Sequence, residues 1–112
     1  MQKSYRLKSS RAFSYIYRRG KSVSSKCIVL IFAPTRYTKK FGISIGKKVG
    51  GSVVRNRYKR IIREIVTKKL ENYTNGYNYI IVARTAIVEK NYHELEEEFN
   101  FLLEKLEKVV NK

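Results

Sequence analysis

Aspartate is missing altogether from this 112-residue sequence, and no acidic residue of either kind precedes Glu64. Tryptophan is absent too, and cysteine, proline, histidine and methionine occur once each. One cysteine, Cys27, cannot form an internal disulfide, and a disulfide-linked partner is not expected. It sits inside the apolar run Cys27-Ile-Val-Leu-Ile-Phe-Ala33, where a small buried residue is the expected role. One proline and six glycines exclude a linker or low-complexity chain. No apolar run approaches the ~18 residues of a membrane span. The opening Met-Gln-Lys-Ser-Tyr-Arg-Leu-Lys has charges but no apolar signal-peptide core behind them. A soluble, cytoplasmic protein without a membrane partner is the expectation.

What the chain holds instead is positive charge. Of 25 Lys and Arg residues, 18 fall in residues 1–63, which carry +18. Residues 64–112 hold seven cations against all nine glutamates, leaving −2 and the overall +16. A folded surface this asymmetric repels itself unless a polyanion supplies the missing charge, and nucleic acid does so through phosphate contacts and counterion release. Hydrophobic residues make up 43%, including nine Tyr and five Phe, enough for a core. One domain over residues 1–112 is expected, burying about two-thirds of its unfolded surface.

The pattern along the chain is that of a small α/β sandwich. Ser9 or Ser10 can cap a helix running to about Arg19, with Phe13, Ile16 and Tyr17 on one face and Gly20 as a C′ stop. Residues 27–33 read as a strand closed by Pro34, and Thr35–Lys40 as a hairpin turn. Phe41-Gly-Ile-Ser-Ile-Gly46 alternates large apolar with small residues, a half-buried strand. Its small face, Gly42, Ser44 and Gly46, would let a helix or an RNA backbone approach closely. Ser52 is placed as the N-cap of a helix reaching about Leu70, with Val54, Tyr58, Ile61, Ile62, Ile65 and Val66 inward. A turn over 72–78 leads to the short strand Tyr79–Ala83. Asn91 and Glu94 have capping-box spacing before a helix striped by Leu95, Phe99, Leu102, Leu106, Val109 and Val110. Strand–helix–strand across 41–83 ordinarily implies a parallel pair with a right-handed crossover.

The segment that carries function is Gly42-Ile-Ser-Ile-Gly-Lys-Lys-Val-Gly-Gly-Ser-Val-Val-Arg-Asn-Arg-Tyr-Lys-Arg-Ile-Ile-Arg-Glu64. At 100° per residue, Asn56, Lys59, Arg60 and Arg63 share one helix face, with Arg55 and Arg57 on its flanks. Arginine matches phosphate bidentately, and asparagine offers a donor and an acceptor to a base or ribose. Lys47 and Lys48 precede the helix, whose first amides add partial positive charge. The plainer reading is a solvated basic face, which the absence of nearby acids disfavours.

This segment closely resembles the signature of the protein component of bacterial ribonuclease P. That family has a small–Ile–Ser–Val–small–Lys–Lys strand, a Gly-bearing turn, then a helix opening Arg-Asn-Arg-x-Lys-Arg-x-x-Arg. Arg55, Asn56, Arg57, Lys59, Arg60 and Arg63 match it. Leu7, Phe13, Tyr17 and Gly20 resemble the family's first helix, and Tyr79–Arg84 its Ile-Ile-Val-Ala-Arg strand. Beyond about residue 90 only the amphipathic type is shared. The resemblance implies a two-layer sandwich of order αβββαβα, its small mixed sheet having about four strands, with a left-handed βαβ crossover in place of the right-handed one. It implies that the arginine-rich helix contacts a catalytic RNA subunit, which does the catalysis with Mg²⁺ held mainly by the RNA. It also implies a cleft between first helix and sheet for the single-stranded 5′ leader of precursor tRNA. Carried over by position, Phe13, Tyr17 and Ile31 line that cleft. Ile31 stands where the family often has an aromatic and offers apolar contact alone. Core packing is the plainer role for Phe13.

A protein-borne phosphodiesterase site needs a general acid/base pair or carboxylate-held metal. His93 reads as an exposed first-turn residue, and Glu94, Glu96, Glu97 and Glu98 as acids favouring a helix N-terminus. No Cys/His spacing points to zinc, so no catalytic residue and no metal ligand is assigned to the chain. Against the endonuclease-subunit reading stand a non-catalytic RNA-binding protein such as a ribosomal component, a helix-turn-helix DNA binder lacking its partner helix, and a membrane-surface helix.

Overall fold

The alternating strands and amphipathic helices assemble into a four-stranded mixed sheet with three helices. The protein is described by a computed structural model covering residues 3–111. In chain order the elements are α1 (Ser10–Arg19), β1 (Lys21–Ser24), β2 (Ile28–Pro34), β3 (Phe41–Ile45), α2 (Ser52–Lys68), β4 (Tyr77–Ala83) and α3 (Tyr92–Val110). Single 3₁₀ turns at Lys3–Tyr5, Leu70–Asn72 and Thr85–Glu89 join them. The order αβββαβα is the one the resemblance implied, while the sequence pattern alone located two strands before α2 and missed β1.

The sheet runs β1-β2-β4-β3. β4 is antiparallel to β2 and parallel to β3. It is apolar on both faces, with Tyr79, Ile80 and Ile81 fully buried, so an interior position with cover on each side suits it. That placement corrects the hairpin expected at Thr35–Lys40. This loop joins β2 to β3, and β4 lies between them, so it arches over the end of a strand added later in the chain.

One sheet face presents Val23, Leu30, Phe32, Phe41, Ile45, Tyr79 and Ile81 to the main core beneath α2 and α3. Phe41 stacks on Tyr79 at 5.2 Å between ring centroids, and Tyr73 meets both rings edge-on. The opposite face carries α1, seated by Ile16 on Ala33 and Ile80. Along α2, Tyr58, Ile62, Ile65 and Val66 are buried as expected, but Val54 is 38% exposed, because the first turn projects beyond the sheet. Val109 is likewise exposed in the last turn of α3, while Leu103 joins the stripe.

Two terminators differ from expectation. Gly51, not Ser52, is the N-cap of α2, and no side chain caps that helix. Gly20 does end α1, but in extended backbone (φ −75°) and not in a left-handed stop. Its lack of a side chain matters for contact, since a Cβ there would stand 2.8 Å from Ile31 Cγ2.

α3 begins with a complete capping box: Asn91 Oδ1 accepts from Glu94 N at 2.9 Å, and Glu94 Oε1 accepts from Asn91 N at 3.0 Å. Four residues on, Glu98 Oε1 accepts from Ser25 Oγ and from Cys27 N (3.2 Å), fastening α3 to the turn between β1 and β2. Burial raises the Glu98 pKa, yet hydrogen bonds from the Cys27 thiol, the Ser25 hydroxyl and the Cys27 amide outweigh it and hold the carboxyl below its ordinary value. Cys27 itself is fully buried, and desolvation, reinforced by Glu98, pushes its thiol up to about 12.

A carboxyl depressed in the folded state stabilises above its unfolded pKa, and that contribution disappears as pH falls through the folded value. Glu98→Gln is therefore expected to cost about 1–3 kcal/mol near neutral pH and to flatten the acid limb of stability. Urea denaturation across pH 3–7 (a range chosen around the ~4.3 of free glutamate) checks this, and an unchanged acid limb would contradict it.

Candidate nucleic-acid interface

α2 turns its apolar stripe to the core and its polar residues to solvent, so burial of Tyr58, Ile62, Ile65 and Val66 decides where the cations point. Asn56, Lys59, Arg60 and Arg63 line one concave surface of about 670 Å³, the grouping expected from 100° spacing. The same concavity takes in Glu64, Thr67 and Lys68. Thr67 and Lys68 escaped the sequence reading, although they extend the i, i+4 row from Arg63 and Glu64. Lys68 Nζ is held by Glu96 at 2.9 Å, and that contact raises the lysine pKa while lowering that of Glu96. Arg55 is tied back, its Nε donating to Gly50 O at 3.2 Å. Arg57 lies on the other flank, its guanidinium 5.9 Å from the Tyr58 ring centroid. Lys47 and Lys48 are exposed in the turn before α2.

Among the described residues the ion pairs are Lys68–Glu96 and Lys90–Glu94, and His93 Nε2 lies beside Glu97 Oε1. None involves a cation before Lys68, so the basic face keeps its charge uncompensated within the described chain. The open N-terminus of α2 adds to this, having no acidic residue in its first turn.

The second surface lies on the α1 side of the sheet. Strand register aligns Ser22, Ile31, Ile80 and Gly42 in one cross-strand row, and Ser24, Val29, Val82 and Ser44 in the next. α1 crosses the first row. The Phe13 ring occupies the space a Gly42 side chain would fill, so the small face of β3 does admit a helix. The second row is left half-buried, an apolar floor of two valines with serines at each end. Phe13, Ile31 and Val82 are half-buried against the cluster of Leu7, Ile16, Ala33 and Ile80, while Tyr17 is 49% exposed. Phe13 and Tyr17 lie on one side of Ile16 around the helix, and Ile31 lies in the strand row that α1 crosses. Val29 and Val82 were missed from sequence, whereas Ser44 belonged to the small face expected to admit a helix or an RNA backbone. Period-two alternation would have put the two valines on the correct face, but not shown that they stay half-buried beside α1.

Neither surface holds a hydrolytic constellation. Among the described residues no group of three or more His, Cys, Asp or Glu is placed to hold a metal. The glutamates in the first two turns of α3 are spent separately: Glu94 on the cap, Glu96 on Lys68, Glu97 on His93, and Glu98 on Ser25 and Cys27. His93, in the first turn, is 3.1 Å from Glu97 and exposed. Helix-turn-helix is ruled out by topology, since three strands separate α2 from the preceding helix. No described helix is long and apolar enough to cross a membrane.

Comparison with known proteins agrees with this geometry. A family model described as Ribonuclease P matches residues 1–107. A ribonuclease P protein component from Clostridium botulinum (strain 657 / Type Ba4) is 38% identical over 105 residues, covering 92% of this chain and 95% of that protein. One from Caldanaerobacter subterraneus is 37% identical, covering 93% and 90%. Among solved structures, the RNase P protein of Staphylococcus aureus superposes with a TM-score of 0.82 at 29% identity, covering 91% of this chain and 94% of that one. That of Thermotoga maritima gives 0.80 at 26%, covering 88% and 96%. With its arginine-rich helix and a match over nearly its whole length, the chain belongs to the ribonuclease P protein family.

Proposed function

We propose that this chain works as the protein subunit of ribonuclease P, helping a catalytic RNA to remove the 5′ leader of precursor tRNA in a bacterial cytoplasm. The observation that carries this reading is the uncompensated face of Asn56, Lys59, Arg60 and Arg63, set in a fold that also leaves Val29, Val82 and Ser44 half-buried beside α1. The cationic face, with Lys47, Lys48, Arg55 and Arg57 around it, suits the phosphates of the RNA subunit. The cleft suits a single strand. Stacking on Phe13 and Tyr17 contributes ~1–3 kcal/mol per base whatever the base, which matches a leader of variable sequence. Ile31 supplies apolar contact at the cleft edge.

Precursor carries the leader and mature tRNA does not, so binding in the cleft favours substrate over product. Mg²⁺ would activate the attacking water and stabilise the leaving oxygen, held by the RNA, since the described residues offer no carboxylate set for it. The protein's own contribution is to screen phosphate repulsion and to fix the leader.

The decisive experiment is cleavage of a precursor tRNA at low Mg²⁺ by a bacterial ribonuclease P RNA with and without this protein. Stimulation is expected only with both components. Absence of stimulation despite salt-sensitive RNA binding would favour a non-catalytic RNA-binding protein instead. Arg57→Ala and Arg60→Ala should each weaken assembly with the RNA and lower the salt slope by roughly 1; slopes equal to wild type would remove both from the phosphate interface. Phe13→Ala should weaken leader-bearing substrate and leave mature tRNA unaffected. Equal losses for both would make Phe13 a purely packing residue.

A further inference from the structure

One carboxylate stands among the cations of α2. Glu64 is exposed and lines the same concave surface as Asn56, Lys59, Arg60 and Arg63. Arg60 and Lys68 lie four residues away on either side, the spacing at which helical ion pairs form. Neither pair is made. Among the described residues no cation lies within ion-pair reach of Glu64, and Lys68 turns to Glu96 instead, at 2.9 Å.

On a face that receives phosphate, an unpaired carboxylate opposes binding. Both groups are negative and both only accept hydrogen bonds, so Glu64 repels an RNA backbone and cannot hold it. Phosphate contacts therefore give this residue no role, and its partner has to be a hydrogen-bond donor.

Thr67 has the same polarity. It lies three residues on, a neighbour on the helix surface, and lines the same concavity. Its Oγ1 donates to Arg63 O at 2.7 Å, which uses its one proton and leaves the oxygen free only to accept. Lys59, Arg60, Arg63 and Lys68 only donate, so Glu64 and Thr67 make a patch of acceptors inside a surface of donors. RNA offers few groups that fit such a patch: the amino and imino groups of base edges and the ribose 2′-hydroxyl.

We propose that Glu64 is a specificity residue, accepting a hydrogen bond from a base amino or imino group or from a 2′-hydroxyl of the catalytic RNA, with Thr67 as the adjoining acceptor. The inference rests on the reading of the chain as a subunit working with that RNA. The surrounding cations attract any polyanion, whereas Glu64 weakens every backbone contact and is compensated only where a donor meets it. It thereby separates the cognate RNA from other nucleic acids.

The sign of one substitution decides. Glu64→Ala is expected to weaken binding to the catalytic RNA about tenfold and, at the same salt, to tighten binding to a duplex DNA of matched length. Glu64→Gln, which keeps the shape and one neutral acceptor, should move both affinities in the same directions by less, which excludes a folding defect. Thr67→Val should weaken RNA binding alone. Analogue interference on the catalytic RNA then names the donor: inosine or purine riboside tests base amines, and 2′-deoxynucleotides test the hydroxyl. The position that interferes with wild-type protein is expected to be silent with Glu64→Ala. Tighter or unchanged RNA binding by Glu64→Ala would overturn the proposal, leaving Glu64 a repulsive charge. A loss that vanishes at high Mg²⁺ would also overturn it, making the carboxylate a metal ligand. Wild-type protein that failed to stimulate leader cleavage would overturn the function instead, and the affinities are measured without cleavage.

Discussion

Uncompensated positive charge is the constraint to which the rest of this structure answers. Eighteen cations precede the first acid, and among the described residues none of those beyond Lys3 lies within ion-pair reach of a carboxylate. Such a chain folds only if its cations can be held apart at the surface while the apolar residues meet below. α2 shows the arrangement at its sharpest. Burial of Tyr58, Ile62, Ile65 and Val66 turns Asn56, Lys59, Arg60 and Arg63 outward together, so the packing that stabilises the helix also concentrates its charge. The repulsion left over becomes binding free energy when an RNA backbone arrives and its counterions depart.

The acidic residues are organised with equal economy. All nine glutamates fall at or after position 64, and those at the start of α3 serve the cap, two ion pairs and the turn around Cys27. They fasten α3 to α2 and to the β1–β2 turn, leaving the basic surfaces free. The sheet divides labour in a similar way. Its aromatic-rich face, with Phe41, Tyr73 and Tyr79 in mutual contact, anchors the core. Its small-residue face is only partly roofed by α1, which leaves a half-buried strip of Val29, Val82 and Ser44 beside the helix.

Much of this was legible in the chain itself. Period 3.6 located all three helices within about two residues, and the Asn91/Glu94 spacing gave the capping box outright. The cationic face followed from 100° geometry, because a helix fixes the angular relation of its own residues. Readings failed where they depended on a partner element. Thr35–Lys40 looked like a hairpin turn because adjacent strands usually pair, yet a strand 40 residues later by position takes the place between them. Val54 matched the apolar stripe but lies past the end of what α2 packs on, and Ser52 had the chemistry of a cap without its position.

The sequence by itself therefore determined charge, helix faces, strand alternation and the arginine-rich motif, all properties of spacing within one segment. Tertiary structure alone decided which parts of those faces remain open. That α1 crosses the row of Ile31, Ile80 and Gly42 while Val29, Val82 and Ser44 stay half-buried is a consequence of contacts between residues far apart in the chain. Local spacing cannot encode such contacts, because they are set by how the packed layers share their limited area.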